Sequence, residues 1–398
     1  MKILIISPFF PYPLDSGGKT RVFNIIEGLR KEHQITLISL IGAKEGHHFQ
    51  KLKNIWPNVA INIVSYQEDL NYSNRYLRKL VYLFQILNPF YYESIYSNEL
   101  SIVIQKTLGK NNFDLIQVEF SQLAHFLPED ISIPSIIVAH DLAHITHHRR
   151  FLTALNLIEK WKEFKNWLNF KKQEQYWFPK YTKCIVMSEN DRLELLKSLP
   201  SLNITVLPNG VDTNFYTKIN NDENIKITFL GGLSHPPNLT ALKYFTKSIY
   251  PLIINNIKNL NFFILGNPGE INIDQFKVDS NVQYLGFVKD SRPYLSNSIF
   301  VAPLLSGSGT RLKILEAMSL ECAVVATTIA CEGIDVTNHK NVIIADEPKD
   351  FAKAVFHLII NKEMRQDIGK NARQLVIEKY DWNVVIKKYH CMLQKLIL

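Results

Sequence analysis

Short apolar runs alternate with longer amphipathic stretches along the first half of the chain. The runs KILIIS (2–7), QITLISL (34–40), FDLIQVEF (113–120), PSIIVAH (134–140) and KCIVMS (183–188) are each followed by a helix-like or polar segment. Strands that are apolar on both faces are typical of parallel sheets covered by helices on either side. This pattern predicts a doubly wound α/β domain.

The second half repeats the pattern after a polar stretch at 217–226, which we interpret as a linker. We therefore predict two doubly wound, Rossmann-like α/β domains, residues 1–205 and 206–380, with a C-terminal helix at about 381–398 packing back on the first. Such sheets bind ligands at the carboxyl ends of their strands. We expect the two domains to face each other across a ligand-binding cleft. The strand candidates are KITFLGG, NFFILGN, VQYLGF, IFVAPLL, AVVATT and NVIIAD, with helices at NLTALKYFTKSIYPLII and GTRLKILEAMSL.

Composition narrows the class of protein. A chain of 398 residues, 46% hydrophobic and 21% charged, has the length and balance of a two-domain globular protein. No run reaches the roughly 18 apolar residues needed to span a bilayer, and proline interrupts the opening run too early for a signal peptide. We expect a cytoplasmic protein. The cysteines and histidines show no metal-ligand spacing, so we expect reduced thiols and no metal site.

The net charge of +8 favours anionic partners such as nucleotide phosphates or a membrane surface. The basic residues are scattered and match no nucleic-acid motif, so we expect no nucleic-acid partner. Segment 151–178 is long, basic and aromatic, and Ile158, Trp161, Phe164 and Leu168 share one helical face. Two interpretations stay open. The stripe packs on a core or a neighbouring domain, or the helix lies on an anionic membrane.

The stretch PLDSGGKTRVF (13–23) raises the question of a P-loop, because Gly17 and Gly18 precede Lys-Thr after the first strand. The strict motif needs glycine where this chain has Pro13. Pro8 and Pro11 in the same loop have no N–H to offer a phosphate. The pattern argues against a P-loop. Two alternatives remain: glycines that permit a tight turn, or a glycine turn opening a helix that faces a ligand.

Segment 303–320, PLLSGSGTRLKILEAMSL, carries the clearest chemistry. A strand, a Gly-Ser-Gly turn and a helix predicted from about Thr310 would aim backbone N–H groups and a helix N-terminus at an anion. Arg311 and Lys313 are then expected in the first helical turn, where the macrodipole disfavours cations unless an anion binds. Glu316 projects from the same face as Lys313. The predicted donor-binding residues of this segment are Gly307, Ser308, Gly309, Thr310, Arg311, Lys313 and Glu316.

Alternatives stay open at these positions. Lys313 and Glu316 form a surface ion pair, or the cations bind a diphosphate while Glu316 accepts from ribose hydroxyls. His140 and Asp141 follow an apolar strand, where a parallel sheet presents functional side chains, but a structural histidine and a capping aspartate would look the same.

Taken in order, these segments resemble glycosyltransferase family 4, the retaining transferases of the two-domain GT-B fold. The resemblance implies that Gly17 and Gly18 face the donor's phosphates, that His140 lies near the transferred sugar and that Glu316 holds the nucleotide ribose. The form GSGTRLKILEAM is most similar to the branch found with bacterial polysaccharide biosynthesis. The resemblance rests on PLDSGGKTRVFNIIEGL, MSENDRLEL, LPNGVDTNFY, FLGGLSHPPNLTAL, VQYLGFVKDSRPYL, APLLSGSGTRLKILEAMSLECAVVATTIACEGI and IGKNARQLVIEKYDW.

The chain departs from the family pattern at the donor site. Ser308 stands where the family has the first glutamate of its Glu-x7-Glu motif, and Gly232 where it has arginine. The lysine that follows that arginine has no equivalent in LSHPPN. The diphosphate contacts are therefore expected from Arg311 and Lys313.

The resemblance implies transfer of a sugar from a nucleoside-diphosphate sugar to a saccharide or lipid-linked acceptor, with retention. His140, Lys313 and Glu316 are the predicted catalytic residues, and no cofactor or metal is expected. The expected location is the cytoplasm, and the membrane interpretation of 151–178 would place the chain at the inner face of the cytoplasmic membrane. A nucleotide-sugar 2-epimerase of the same fold and a non-catalytic sugar-nucleotide-binding subunit remain alternatives.

Overall fold

The computed structural model describes residues 1–42, 45–66, 98–128, 131–154, 156–219, 224–257, 259–307 and 310–397. The chain forms two compact units. The first comprises Met1–Leu207 and Ile386–Leu398, and the second comprises Pro208–Val385. The polar residues on both sides of 220–223 belong to the second unit, so the interpretation of 217–226 as the linker is wrong.

Within the described part of the first unit, seven parallel strands form a sheet of order β3-β2-β1-β4-β5-β6-β7. The strands are β1 (Lys2–Ser7), β2 (Gln34–Gly42), β3 (Ala60–Tyr66), β4 (Leu115–Glu119), β5 (Ser135–Ala139), β6 (Lys183–Val186) and β7 (Ile204–Val206). The helices are α1 (Gly17–Leu29), α2 (Gly46–Ile55), α3 (Asn98–Lys110), α4 (Ala143–Thr153), α5 (Leu157–Trp177) and α6 (Glu189–Ser198).

In the described part of the second unit, six parallel strands form a sheet of order β10-β9-β8-β11-β12-β13. The strands are β8 (Lys226–Leu230), β9 (Asn261–Leu265), β10 (Val282–Gly286), β11 (Ser298–Ala302), β12 (Ala323–Ala326) and β13 (Ile343–Ile344). The helices are α7 (Pro236–Tyr244), α8 (Tyr250–Ile254), α9 (Arg292–Leu295), α10 (Leu312–Ser319), α11 (Thr328–Cys331), α12 (Pro348–Ile360), α13 (Lys362–Lys379) and α14 (Trp382–Ile397).

Burial explains why the apolar runs become central strands. Every residue from Ile3 to Ile6 in β1 is fully buried, as a strand covered on both faces by helices must be. In both sheets, successive strands are first added on one side of the first strand of that sheet and then on its other side. In the first unit this switch lies between β1 and β4, and in the second between β8 and β11. The two doubly wound sheets confirm the predicted α/β fold class, and the switch points mark where such sheets bind ligands.

Two helices differ from the sequence prediction. The helix expected over NLTALKYFTKSIYPLII is divided into α7, a π-helical turn at Phe245–Ile249, and α8. Pro251 has no N–H for the α-helical ladder, and the wider turn accommodates the break. Segment 151–178 is likewise divided, because α4 ends at Thr153 and α5 begins at Leu157.

The C-terminal helix α14 belongs to both units. Its first turn lies in the second unit and its residues from Ile386 onward lie in the first. The Tyr389 hydroxyl donates to Gln117 Oε1 on β4, 2.5 Å away. A Cβ atom at Gly28 would lie 2.6 Å from the Ile386 side chain, so glycine permits α1 to approach α14 closely.

Candidate functional site

The first group of predicted site residues lies at the carboxyl edge of β1, β4 and β5. Helix α1 begins at Gly17, and Ser16 caps it by accepting a hydrogen bond from the Lys19 backbone N–H. Lys19 Nζ is paired with Glu45 at 3.0 Å and Asp15 at 3.3 Å. The segment is therefore a capped helix with an ion-paired lysine, and the prediction against a P-loop agrees with its geometry.

Gly18 is required by packing. A Cβ atom there would lie 2.9 Å from the ring of Phe9 and 2.9 Å from the ring of Phe120. Phe120 follows β4 with a positive φ of 69°, which is uncommon for a residue other than glycine, and its ring meets that of Phe9 edge to face at 4.9 Å. The two rings therefore fill the space that a side chain at position 18 would need.

His140 follows β5 and lies on the same aromatic group. Its ring stacks on Phe120 with centroids 3.7 Å apart and an interplanar angle of 10°. Its Nε2 atom lies 2.6 Å from Glu119 Oε2. The structure thus brings Gly18, Phe120 and His140 together. Sequence reasoning missed Glu119, although a carboxylate inside the apolar run FDLIQVEF is a signal that could have identified it.

The second group lies after β11, around the N-terminus of α10. The helix begins at Leu312, two residues later than predicted, and Arg311 occupies the N-cap position with φ of −85° and ψ of 94°. The prediction that Arg311 lies in the first turn is therefore wrong, while Lys313 does lie there. Ser308 and Gly309 lie outside the described residues.

Gly307 places the Arg311 side chain. Its φ is +122°, which L-residues rarely adopt, and a Cβ atom there would lie 2.8 Å from Arg311 Nη2. The guanidinium thus packs directly on the loop that precedes α10. Thr310 is buried, and its carbonyl accepts a hydrogen bond from Asn209 Nδ2 at 3.2 Å. The Asn-Gly pair in VLPNGVDTNFY therefore anchors this loop.

Lys313 contacts β8 and the first turn of α7. Its ammonium group donates to Asn238 Oδ1 and lies 5.5 Å from the centre of the Phe229 ring. Asn238, in the first turn of α7, also donates to the Gly232 carbonyl at 2.9 Å. The segment LSHPPN, which lacks the lysine of the family pattern, thus supplies the Asn238 amide beside Lys313. Sequence reasoning missed Asn238.

Glu316 has a separate partner. It accepts a hydrogen bond from the Tyr216 hydroxyl, and burial raises the pKa of Glu316 to about 7. Burial, with the neighbouring Arg311 charge, lowers the pKa of Lys313 to about 7. Lys313 and Glu316 are each half-buried. Lys313 hydrogen-bonds to Asn238, and Glu316 hydrogen-bonds to Tyr216. This arrangement argues against a simple Lys313–Glu316 surface pair and favours two groups that meet a ligand.

One group of potential metal ligands lies at the opposite, amino edge of the first sheet. Within the described ranges, Glu32, His33 and His390 bring one ligand atom each within 4.8 Å of one another. The two histidines already hydrogen-bond, with 3.2 Å between His33 Nε2 and His390 Nδ1. This group lies apart from the carboxyl edge where His140 and Gly18 meet.

The two doubly wound parallel sheets have the fold of the GT-B glycosyltransferases. The whole chain is similar to sucrose-phosphate synthase from Thermosynechococcus elongatus, with a TM-score of 0.74, 14% identity, and coverage of 100% of this chain and 99% of that one. It is also similar to Anabaena HepE in complex with UDP-glucose, with a TM-score of 0.68, 15% identity, and coverage of 99% and 100%.

Family models cover both units. The model of Glycosyltransferase Family 4 matches residues 16–215, and that of Glycosyl transferases group 1 matches residues 224–361. The chain therefore belongs to glycosyltransferase family 4. The resemblance stated from the sequence motifs is confirmed.

Curated relatives match parts of the chain. An uncharacterised 44.6 kDa protein in the cps region of Klebsiella pneumoniae is 29% identical over 167 residues, 40% of this chain and 43% of that protein. The poly(ribitol-phosphate) alpha-N-acetylglucosaminyltransferase of Staphylococcus aureus is 23% identical over 262 residues, 63% of this chain and 49% of the enzyme. The chain thus spans less than half the length of either relative. Among the described residues, no helix is both long and apolar enough to span a bilayer.

Proposed function

We propose that the chain transfers a sugar from a nucleoside-diphosphate sugar to a saccharide or lipid-linked acceptor, with retention, in the synthesis of a bacterial surface polysaccharide. The observation that carries this proposal is the group at the start of α10, where Arg311, Lys313 and Glu316 meet a helix N-terminus. The relatives from a cps region and from poly(ribitol-phosphate) glycosylation support the polysaccharide role.

In this proposal the cations bind the diphosphate. Lys313 and the first N–H groups of α10 supply positive charge where negative charge develops as the sugar leaves. Glu316, when ionised, accepts hydrogen bonds from the two ribose hydroxyls, as the family resemblance implies. Asn238 holds the Lys313 ammonium in place before the donor binds. Gly307 and Thr310 shape the loop that presents Arg311.

His140 serves the sugar end of the donor in this proposal. The backbone and rings around Gly18 fix the His140 ring in one orientation. In a retaining transfer the departing phosphate can take the proton of the attacking hydroxyl, so no separate base is needed. We further propose that fixed cations and amides replace a metal, so that the transfer persists in EDTA.

The experiment that tests the donor site is ligand-induced stabilisation of the full chain. Melting temperatures are measured with UDP, GDP, ADP, CMP and their sugars, for the wild type and for Glu316→Gln. A ligand that binds the folded form raises the melting temperature. We expect a rise with one nucleoside diphosphate family and a smaller rise in Glu316→Gln. The matched control is Glu363→Gln, the same change at an exposed position on α13. No response to any nucleotide, or equal loss in the control, would overturn the donor-site assignment.

A further inference from the structure

The polar side chains beneath His140 form a buried chain that the proposed transfer does not otherwise use. Arg21, Gln117, Glu119 and Tyr389 are each exposed by 1% or less. Buried ionised groups contribute little net stability, because apolar residues of similar shape often stabilise a core as well or better. Their presence under a candidate active-site histidine therefore points to a role in setting the state of that histidine.

Hydrogen bonds order the chain from the C-terminal helix to the histidine. The Tyr389 hydroxyl donates to Gln117 Oε1 at 2.5 Å, which turns the amide nitrogen of Gln117 toward Glu119 Oε1. The other carboxylate oxygen, Oε2, lies 2.6 Å from His140 Nε2. The buried Arg21 guanidinium interacts with Glu119 as a carboxylate, and a carboxylate can only accept hydrogen bonds. The bond to His140 is therefore donated by the Nε2–H group.

The positive charge of Arg21 balances the negative charge of Glu119, so the His140 imidazole does not need a second proton. The buried Arg21 guanidinium on α1 interacts with the Glu119 charge, and Tyr389 is kept neutral because burial raises its pKa. Burial lowers the pKa of His140, and the Arg21 charge acts in the same direction, while Glu119 and Asp141 act against it. Arg21 already compensates Glu119, so the imidazole can stay neutral beside a carboxylate.

We infer that Glu119 is a positioning residue that, together with Arg21 and the Tyr389–Gln117 pair, holds His140 as the neutral Nε2–H tautomer. Within the described ranges His140 hydrogen-bonds through Nε2. Its Nδ1 is then the nitrogen that accepts from a hydroxyl of the donor sugar or the acceptor. The tautomer follows from the buried chain alone, whereas the hydroxyl contact rests on the proposed function.

The tautomer is tested by NMR of the full chain with ¹⁵N-labelled histidine, with His140→Gln used to assign the His140 signals. We expect Nε2–H imidazole at pH 7 in the wild type. Glu119→Gln removes the negative charge and should lower the His140 pKa, whereas Arg21→Met removes the positive charge and should raise it. Glu99→Gln, an exposed change on α3, should leave it unchanged. An Nδ1–H tautomer in the wild type, or shifts of the same sign in both variants, would overturn the inference.

Activity provides an independent test. If Glu119 acts through His140, Glu119→Gln should lower kcat by about 10- to 100-fold, the loss typical when a carboxylate that orients a functional histidine is removed, with KM for the donor nearly unchanged. The double variant Glu119→Gln/His140→Gln should then be no slower than His140→Gln alone. Additive losses would show that Glu119 acts elsewhere. If Arg21→Met does not fold, the NMR spectrum of Glu119→Gln and this double-mutant cycle still test whether Glu119 acts through His140. If no sugar transfer is found for the wild type, the proposed function fails, while the NMR result still decides the tautomer.

Discussion

At the residue scale, burial brings the ionisation of Lys313 and Glu316 to the same range near pH 7. In the proposed donor site, a bound diphosphate would favour the charged form of Lys313 and raise its pKa, so that binding would take up a proton and weaken as the pH rises through about 7. Ribose hydroxyls would favour the charged form of Glu316 and lower its pKa, so that this contact would release a proton and strengthen as the pH rises. The two effects oppose each other in the wild type.

Glu316→Gln should therefore expose the lysine effect. The Glu316 charge raises the Lys313 pKa, so its removal shifts that pKa below about 7. We therefore expect nucleoside-diphosphate affinity in this variant to fall as the pH rises from below 7, with net proton uptake on binding. The measurement is isothermal titration calorimetry in buffers of different ionisation enthalpy. Lys313→Met in the same background should remove both the pH dependence and the proton uptake. Equal proton uptake with and without Lys313 would show that another group titrates.

Gly18 offers a second prediction at this scale. Gly18→Ala places a Cβ atom 2.9 Å from the rings of Phe9 and Phe120, and Phe120 carries the His140 ring. We expect a loss of about 1–3 kcal/mol in unfolding free energy, partly offset by the better helix propensity of alanine, and a lower kcat.

The matched control for this change is Gly46→Ala. Gly46 is the first residue of α2, as Gly18 is the second residue of α1, and a Cβ atom at Gly46 meets no atom within 4 Å. We expect this variant to be neutral or slightly more stable. The measurements are urea unfolding and initial rates. A Gly18→Ala protein as stable and active as Gly46→Ala would contradict the packing argument.

At the scale of elements, α5 has an apolar face. The sequence alone left open whether this face packs against protein or against a membrane. Ile158 and Trp161 of the predicted stripe are 81% and 52% exposed, so the interpretation that the stripe packs on a core is wrong for these two residues. The neighbouring Leu157, outside the predicted stripe, is 85% exposed. The acidic residues Glu163 and Glu174 point the other way, where each is paired with a histidine of α4. The exposed side of α5 therefore combines apolar residues with lysines.

We propose that this face lies on an anionic membrane, with the lysines toward lipid phosphates. Its basic residues are Lys160, Lys162, Lys165, Lys171 and Lys172. The double variant Leu157→Ser/Trp161→Ser should weaken binding to phosphatidylglycerol vesicles in cosedimentation by about 30-fold or more, because it removes about 2 kcal/mol or more of apolar contact. Phe287→Ser is the control, since Phe287 is 72% exposed on the second unit. Equal binding by all three proteins, or equal binding to neutral phosphatidylcholine vesicles, would exclude this contact.

At the scale of the whole molecule, membership of glycosyltransferase family 4 makes the stereochemical outcome testable. We expect the product glycoside to have the anomeric configuration of the donor, and the rate to be unchanged by EDTA. The measurement is proton NMR of the product, with the anomeric coupling constants of donor and product compared before mutarotation. Because a free sugar from hydrolysis loses this information, the reaction needs an acceptor that gives a stable glycoside. An inverted product would overturn the retaining mechanism.

The amino-acid sequence predicted β1, β2, β4, β5 and β6 of the first sheet, all six described strands of the second and the strand-turn-helix order of 303–320, because these features are local. It did not predict β3 or β7. Continuous apolar runs such as Ile3–Ile6 specify strands buried on both faces, and Lys313 and Glu316 follow each other on one helical turn. The family could be recognised for the same reason, since its motifs are short and ordered.

The contacts between side chains that are distant in the sequence could be identified only from the tertiary structure. Glu119 and His140 are 21 residues apart, Tyr389 and Gln117 are 272 apart, and Lys313 and Asn238 are 75 apart. Each pair is brought together by parallel strands whose carboxyl ends share one edge, or by a helix that returns to the sheet. The spacing of residues along the sequence does not specify such long-range contacts. The ionisation of a buried group depends on these contacts. The sequence could therefore predict Lys313, Glu316 and His140, but not the partners that set their protonation.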